Sequence, residues 1–201
     1  MPYPIIFAVA GIPASGKSSF IQKKIREKFF PEEVFIHDCD AVMASLKGYQ
    51  SDLQSLGSAI AFQNWEVPAR ALAESMLMEA VHAKKNIIYD RSCALQSSYL
   101  FLKEVVELHR YTLVMHVLTV SNEAALFRAK EREKETGRQV PKDFFLERKK
   151  GLKALWPAYL KLAKQCYLYD SNTRPLELIA NGCGAELTVL DKKKYEIFLN
   201  H

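Results

Sequence analysis

Long uncharged apolar runs are missing from this chain of 201 residues: none reaches the ~18 residues a bilayer-spanning helix needs, so no membrane partner is expected. Cysteine is scarce. Cys39, Cys93, Cys166 and Cys183 stand far apart, with neither C-x-x-C nor metal-ligand spacing, and read as buried or free thiols in a reducing cytoplasm. No Pro-, Gly- or Ser-rich linker interrupts the sequence, and no repeat or low-complexity tract occurs. Length and this continuity lead to the expectation of one domain over residues 1–201. The early apolar run IIFAVAG lacks the basic segment that precedes a secretory signal, so a cytoplasmic protein is expected. Asn-Lys-x-Asp and Asp-x-x-Gly are both absent, which removes the guanine-specific switch proteins from consideration. The excess of positive charge is a modest +5, and the basic residues are interleaved with acidic ones. Such a balance suits anionic ligands but argues against a nucleic-acid surface.

What is present is concentrated early. GIPASGKSS, Gly11 to Ser19, matches G-x-x-x-x-G-K-[ST] between an apolar run and a helical pattern. A loop with little side-chain bulk can wrap its backbone N–H groups around phosphate oxygens, and the helix that follows adds its positive end. Gly11, Ile12, Pro13, Ala14, Ser15, Gly16, Lys17, Ser18 and Ser19 are therefore the expected nucleotide contacts. Lys17 would reach the outer phosphates, and the Ser18 hydroxyl would ligate Mg²⁺. The expected cofactors are ATP and Mg²⁺.

Apolar runs of strand length lie at 5–10, 34–37, 86–89, 112–120 and 166–169. Helical patterns alternate with them at 17–29, about 64–85, 96–109, 121–136 and 141–164. This alternation predicts an α/β P-loop NTPase/kinase fold with a mostly parallel five-stranded sheet flanked by helices. A lid helix pair is expected at about 121–145. A C-terminal extension, about 173–201, is expected to form a hairpin turning at Asn181-Gly182 and then a short helix.

In a parallel sheet, ligands bind beyond the carboxyl ends of the strands, so chemistry should follow each apolar run. Asp38 and Asp40 follow the second run, and Asp90 and Ser92 follow the third. A hard cation takes carboxylate and water ligands, and an acceptor hydroxyl takes a base, so Asp38 and Asp90 are assigned to metal and substrate. The bland alternative for these acids is helix capping or Asx turns. Arg128 and Arg132 share one helical face, with Arg138 beyond Gly137. Arginine forks above a triphosphate stabilise the charge of the transferring group, and Arg128 is grouped with the nucleotide contacts. The charged run ERKKGLKALW reads as an exposed helix face with Leu152, Leu155 and Trp156 turned inward. His37, His82, His109 and His116 share no pattern and read as ordinary core or surface histidines.

GIPASGKSS, VFIHDCD, KKNIIYDRS, GRQVPKDFF and LYDSN, in that order, resemble the zeta-toxin-like P-loop kinases over about residues 4–172. That resemblance implies an ATP-dependent kinase acting on a small-molecule hydroxyl, the sugar of UDP-N-acetylglucosamine or a related nucleotide sugar. It places Lys17 and Ser18 on phosphates and metal, Asp40 as the base that takes the hydroxyl proton, Asp90 and Ser92 on the substrate, and Arg132 and Arg138 on the transferring phosphate. It also raises an antitoxin protein as partner, which no residue here specifies. The chain departs from the family at Asp90-Arg91-Ser92, where Glu-Gly-Thr is usual, and across 47–70. Both departures bear on the acceptor. A polynucleotide 5'-hydroxyl, an antibiotic or a dinucleotide remains open as acceptor, as does a module that binds ATP without phosphorylating anything.

Overall fold

The computed structural model describes residues 3–136 and 141–200. In chain order the elements are β1 (Ile5–Ala10), α1 (Lys17–Arg26), β2 (Val34–His37), α2 (Cys39–Ser45), α3 (Lys47–Ser55), α4 (Ser58–His82), β3 (Asn86–Asp90) and α5 (Gln96–Glu107). Then come β4 (Thr112–Thr119), α6 (Asn122–Thr136), α7 (Lys142–Leu162), β5 (Gln165–Asp170), β6 (Glu177–Gly182), β7 (Thr188–Val189) and α8 (Lys192–Asn200). The strands join one sheet in the order β2-β3-β1-β4-β5-β6-β7. The first five are parallel, and β6 and β7 add antiparallel.

β1 is central because it is apolar on both faces. Ile6, Ala8 and Ala10 pack into one core, and Phe7 and Val9 into another with Phe20, Ile21 and Phe30 of the α1 side. The chain returns to β1 from both sides, placing β3 on one edge of it and β4 on the other. This is the topological switch point where such sheets open a crevice at their carboxyl ends. Register does the rest. Val9 pairs with Asp90 and His37 with Tyr89, so the residues that leave β1, β2 and β3 emerge side by side.

The structure differs from the sequence expectation in three places. The hairpin does not turn at Asn181-Gly182. Both residues stay in β6, paired with Tyr167 and Cys166, and the reversal comes after them through a tight turn at Gly184–Glu186. Local turn propensity was overridden by the pairing to β5. The hairpin also widens the main sheet to seven strands. Finally, the segment before Asn64 is helical. α4 starts at Ser58, after Gly57 with a φ of 84°, and carries Pro68 in its interior. The shorter expected helix placed that proline near its start, where proline is normally tolerated. α3 has no buried residue and is held onto α4 by Trp65, whose indole N–H donates to Asp52 at 2.9 Å. Gly48 lies directly against that indole ring. No helix among the described residues is long and apolar enough to cross a membrane.

Candidate active site

The loop between β1 and α1 is built by two glycines with different jobs. A side chain on Gly11 would meet Ser15 Oγ at 2.5 Å and the Leu118 carbonyl at 2.6 Å, so the loop can close only around a hydrogen. Gly16 has a φ of 91°, and the space where its side chain would stand is open. That open space lies at the start of α1, where N–H groups and the positive helix end face outward. Ala14 also takes a positive φ of 59°, and Pro13 beside it is partly buried. Ser15 donates its N–H to the Ile12 carbonyl, while its buried Oγ has no partner among the described residues. Ser18 and Ser19 are exposed on the first turn of α1.

Lys17 bends back over this loop, donating from Nζ to the carbonyls of Gly11 at 3.2 Å and Ile12 at 3.4 Å. Burial lowers its pKa, with Asp90 pulling the other way. Asp90, at the end of β3, is pushed up to about 6. Burial is the main cause, partly offset by Lys17 and reinforced by the charges of Asp38 and Asp40. Five groups that the sequence holds far apart thus share one electrostatic site: Lys17, Asp38, Asp40, Asp90 and Arg132.

Asp40 and Arg132 make direct contact. Arg132 Nη2 donates to Asp40 Oδ2 at 3.0 Å, joining α6 to α2 across 92 positions of sequence. Both side chains remain nearly half exposed, so the pair stands at an open mouth. Asp38 has a second duty. Its Oδ1 accepts from the N–H groups of Asp40 at 2.9 Å and Ala41 at 3.1 Å, capping α2 and fixing the direction in which Asp40 leaves the helix. The capping role weighed for Asp38 in the sequence is therefore present. Ser92 contributes its carbonyl, which accepts from the Gly11 N–H at 3.4 Å and ties the β3 loop to the phosphate loop. Arg128 is directed elsewhere: it donates to the Ser171 carbonyl at 2.6 Å and fastens α6 to the end of β5. Arg138 lies outside the described residues.

A magnesium ion fits the donor set present. No cluster of three or more acidic, His or Cys groups that could hold a metal occurs among the described residues. Mg²⁺ keeps most of its water and binds through one or two protein oxygens plus phosphates, so the Ser18 hydroxyl with Asp90 or Asp38 would be enough to hold it.

Some contacts around the site had no local signal. Arg91 donates to Cys39 Sγ at 3.0 Å and pairs with Glu74 at 3.3 Å, bridging β3, α2 and α4 beneath Asp40. Glu74 sits in the middle of a long helix where nothing in its spacing marks it. His37 is fully buried next to this bridge, and burial holds it down to about 4, so it is a neutral core histidine at physiological pH. His116 is likewise buried, stacked on Tyr167, and held down to about 4. The β5 end forms another network: Asp170 accepts from Asn172 and Lys194, and Asn172 accepts from the Ser121 N–H at the start of α6.

The pH dependence of stability should report Asp90. Its folded pKa of about 6 lies above the ordinary value of 3.8, so its contribution is fully present below the lower value and is lost as pH rises through the higher one. Asp90→Asn should therefore raise the melting temperature at pH 7.5 by about 3 °C or more and leave it unchanged at pH 3.5. A lower melting temperature at pH 7.5 would mean that attraction to Lys17 outweighs burial.

A mostly parallel sheet with a glycine-lined loop at its switch point, acids after the flanking strands and an arginine on α6 is the arrangement of a P-loop kinase fold. A family model described as Zeta toxin matches residues 1–165, and the chain belongs to that family. The crystal structure of AvrRxo1-ORF1:-ORF2 with ATP matches with a TM-score of 0.75 at 14% identity, over 98% of this chain and 64% of the other. A chain from the PezAT chromosomal toxin-antitoxin system of Streptococcus pneumoniae matches at 0.68 and 15% identity, over 98% and 87%. Deoxyadenosine kinase from M. mycoides matches at 0.51 and 15% identity, over 83% and 91%. These likenesses are of fold, and this chain spans 64% of the length of the AvrRxo1 complex chain it matches. No curated protein sequence matches.

Proposed function

We propose that this chain transfers the γ-phosphoryl group of ATP to a hydroxyl of a small molecule in the cytoplasm, with a nucleotide sugar such as UDP-N-acetylglucosamine as the acceptor. One observation supports the reading: Arg132 meets Asp40, and both share their electrostatic surroundings with Lys17 and Asp90, so groups suited to be base, phosphate clamp and phosphate-binding lysine come together from separate elements. The phosphates would lie on the loop from Gly11 to Ser19, with Mg²⁺ on Ser18 and on Asp90 directly or through water. Bound there, the metal would neutralise part of the phosphates' charge.

Asp40 would orient the acceptor hydroxyl and take its proton. The new bond forms between that oxygen and the γ-phosphorus, while the bond from the γ-phosphorus to the β,γ-bridging oxygen breaks and ADP leaves. Arg132 would exchange its contact with Asp40 for the equatorial oxygens of the transferring group, and Arg138 is proposed to join it. The exchange is easy because an exposed pair contributes only about 1 kcal/mol or less. Asp38 positions Asp40 through its cap, and Ser92 with Asp90 borders the acceptor.

An antitoxin protein is the proposed partner. The support is that fold relatives were solved as the AvrRxo1-ORF1:-ORF2 complex and within the PezAT toxin-antitoxin system. The test of the activity is incubation with γ-labelled ATP, Mg²⁺ and either UDP-N-acetylglucosamine or a pool of cell metabolites. Label should move to the nucleotide sugar. Label on another small molecule would keep the kinase and change the acceptor, whereas free phosphate alone would make the chain an ATPase.

A further inference from the structure

The helix that carries Asp40 is weakly anchored. α2 has seven residues, of which only Met43 is buried, and a helix so short has little stability of its own. It packs on α4, and its Asp38 cap sets the direction in which it starts. A cap made within one segment cannot fix that segment against the sheet. Arg91, just past the end of β3, supplies a tie that can. Its Nη1 donates to Cys39 Sγ at 3.0 Å, and its Nη2 pairs with Glu74 of α4 at 3.3 Å.

The sheet register builds this grip. His37 pairs with Tyr89, and their rings lie 5.3 Å apart on the face of the sheet that α4 covers. Two residues further along each segment stand Cys39 and Arg91, which keep to the same face because side chains alternate along an extended chain. Asp90, between Tyr89 and Arg91, takes the opposite face with its β1 partner Val9. Adjacent residues therefore do separate work: Asp90 shares its surroundings with Lys17, and Arg91 reaches for α2. The grip runs from the residue after one acid to the residue before the other.

Arginine is the residue type such a joint needs. Its planar fork can hold two partners at once in fixed directions, whereas an ammonium group is a single point of charge. Glu74 has one further neighbour, His37 Nε2 at 3.9 Å, and that buried ring is neutral at physiological pH. The carboxylate is thus left to Arg91.

We propose that Arg91 is a positioning residue for phosphoryl transfer: by gripping Cys39 and Glu74 it fixes the spacing of Asp40 from Asp90, and with it the place of the acceptor hydroxyl relative to the phosphates. The proposal rests on the kinase reading above and adds a residue that acts through its neighbours.

Arg91→Met should lower turnover by about ten- to a hundredfold with the acceptor that takes label in the assay above, since displacing a reacting group by about 1 Å has that effect. KM for ATP should stay within about twofold, because none of the gripped residues lies in the phosphate loop. Arg91→Lys should lose turnover too, since it keeps the charge and not the fork. Cys39→Ser retains an acceptor and should keep turnover within about threefold, whereas Cys39→Val has a similar volume without an acceptor and should lose about tenfold. Combined with Arg91→Met, the Cys39→Val loss should not multiply, because both changes break one contact.

A purely structural Arg91 gives another pattern: a lower melting temperature with unchanged turnover per folded molecule, which would overturn the proposal. A rise in KM for ATP as large as the fall in turnover would assign Arg91 to the nucleotide and overturn it as well. If Arg91→Met does not fold, the two Cys39 variants decide, and equal turnover in them sinks the grip. Absence of label transfer by the unsubstituted protein would remove the kinase reading itself. Transfer by that protein and equally by Arg91→Met would remove the positioning role alone.

Discussion

Asp40→Asn should lower turnover by about a thousandfold while leaving ATP affinity within about twofold. The asymmetry follows from where Asp40 stands. It leaves the first turn of α2 toward the open mouth, and the phosphate loop is formed by residues Gly11 to Ser19 on different elements. Asparagine keeps the shape and can still accept from Arg132, so the geometry of the mouth survives. It cannot take a proton from the acceptor. Stability should hardly change, because the pair being altered is nearly half exposed on both sides. Steady-state phosphorylation and a separate binding titration with an ATP analogue decide the matter. Equal losses in both would remove Asp40 from the chemistry and make it a nucleotide ligand.

Lys17→Met is the second large effect, and it should appear in binding as well as turnover. Removing one charged donor to the phosphates should weaken ATP binding by about ten- to a hundredfold and cut turnover by a further hundredfold or more. The lysine is preorganised for this. Its ammonium donates to the carbonyls of Gly11 and Ile12, two neutral acceptors at 3.2 and 3.4 Å. Phosphate oxygens placed over Gly16 would offer a better partner within the same reach. Methionine matches the stem in length and apolar character, so the loop should fold and the circular dichroism spectrum should be retained. An unfolded variant would instead show that the lysine holds the loop together, and an ATP affinity equal to the unsubstituted protein's would remove Lys17 from the phosphate site.

The legible parts of the fold were those written as local patterns. The short apolar runs became β1 to β5, and the two glycines and the lysine of the loop lie where their spacing demands. The less legible parts depended on partners. Asn181-Gly182 has the composition of a turn, yet β5 pairs with it and carries it on as strand. α3 buries nothing of its own and exists because α4 offers Trp65 and a surface for Gly48. Within the site, Arg132 could be suspected from its helical face, but its distance of 3.0 Å from Asp40 is a property of two helices meeting. Arg128 shares that face and goes to β5 instead.

The sequence by itself determined the phosphate cradle, the alternation of strands and helices, and the acids that leave β2 and β3. Each of these is a short-range property, set by backbone freedom, hydrophobic period and the residue that follows a strand. Tertiary structure alone decided which charges share one site and why Asp90 gains affinity for its proton. Burial and electrostatic coupling depend on distances through space, and those distances arise only when α1, α2 and α6 are packed around the end of the sheet.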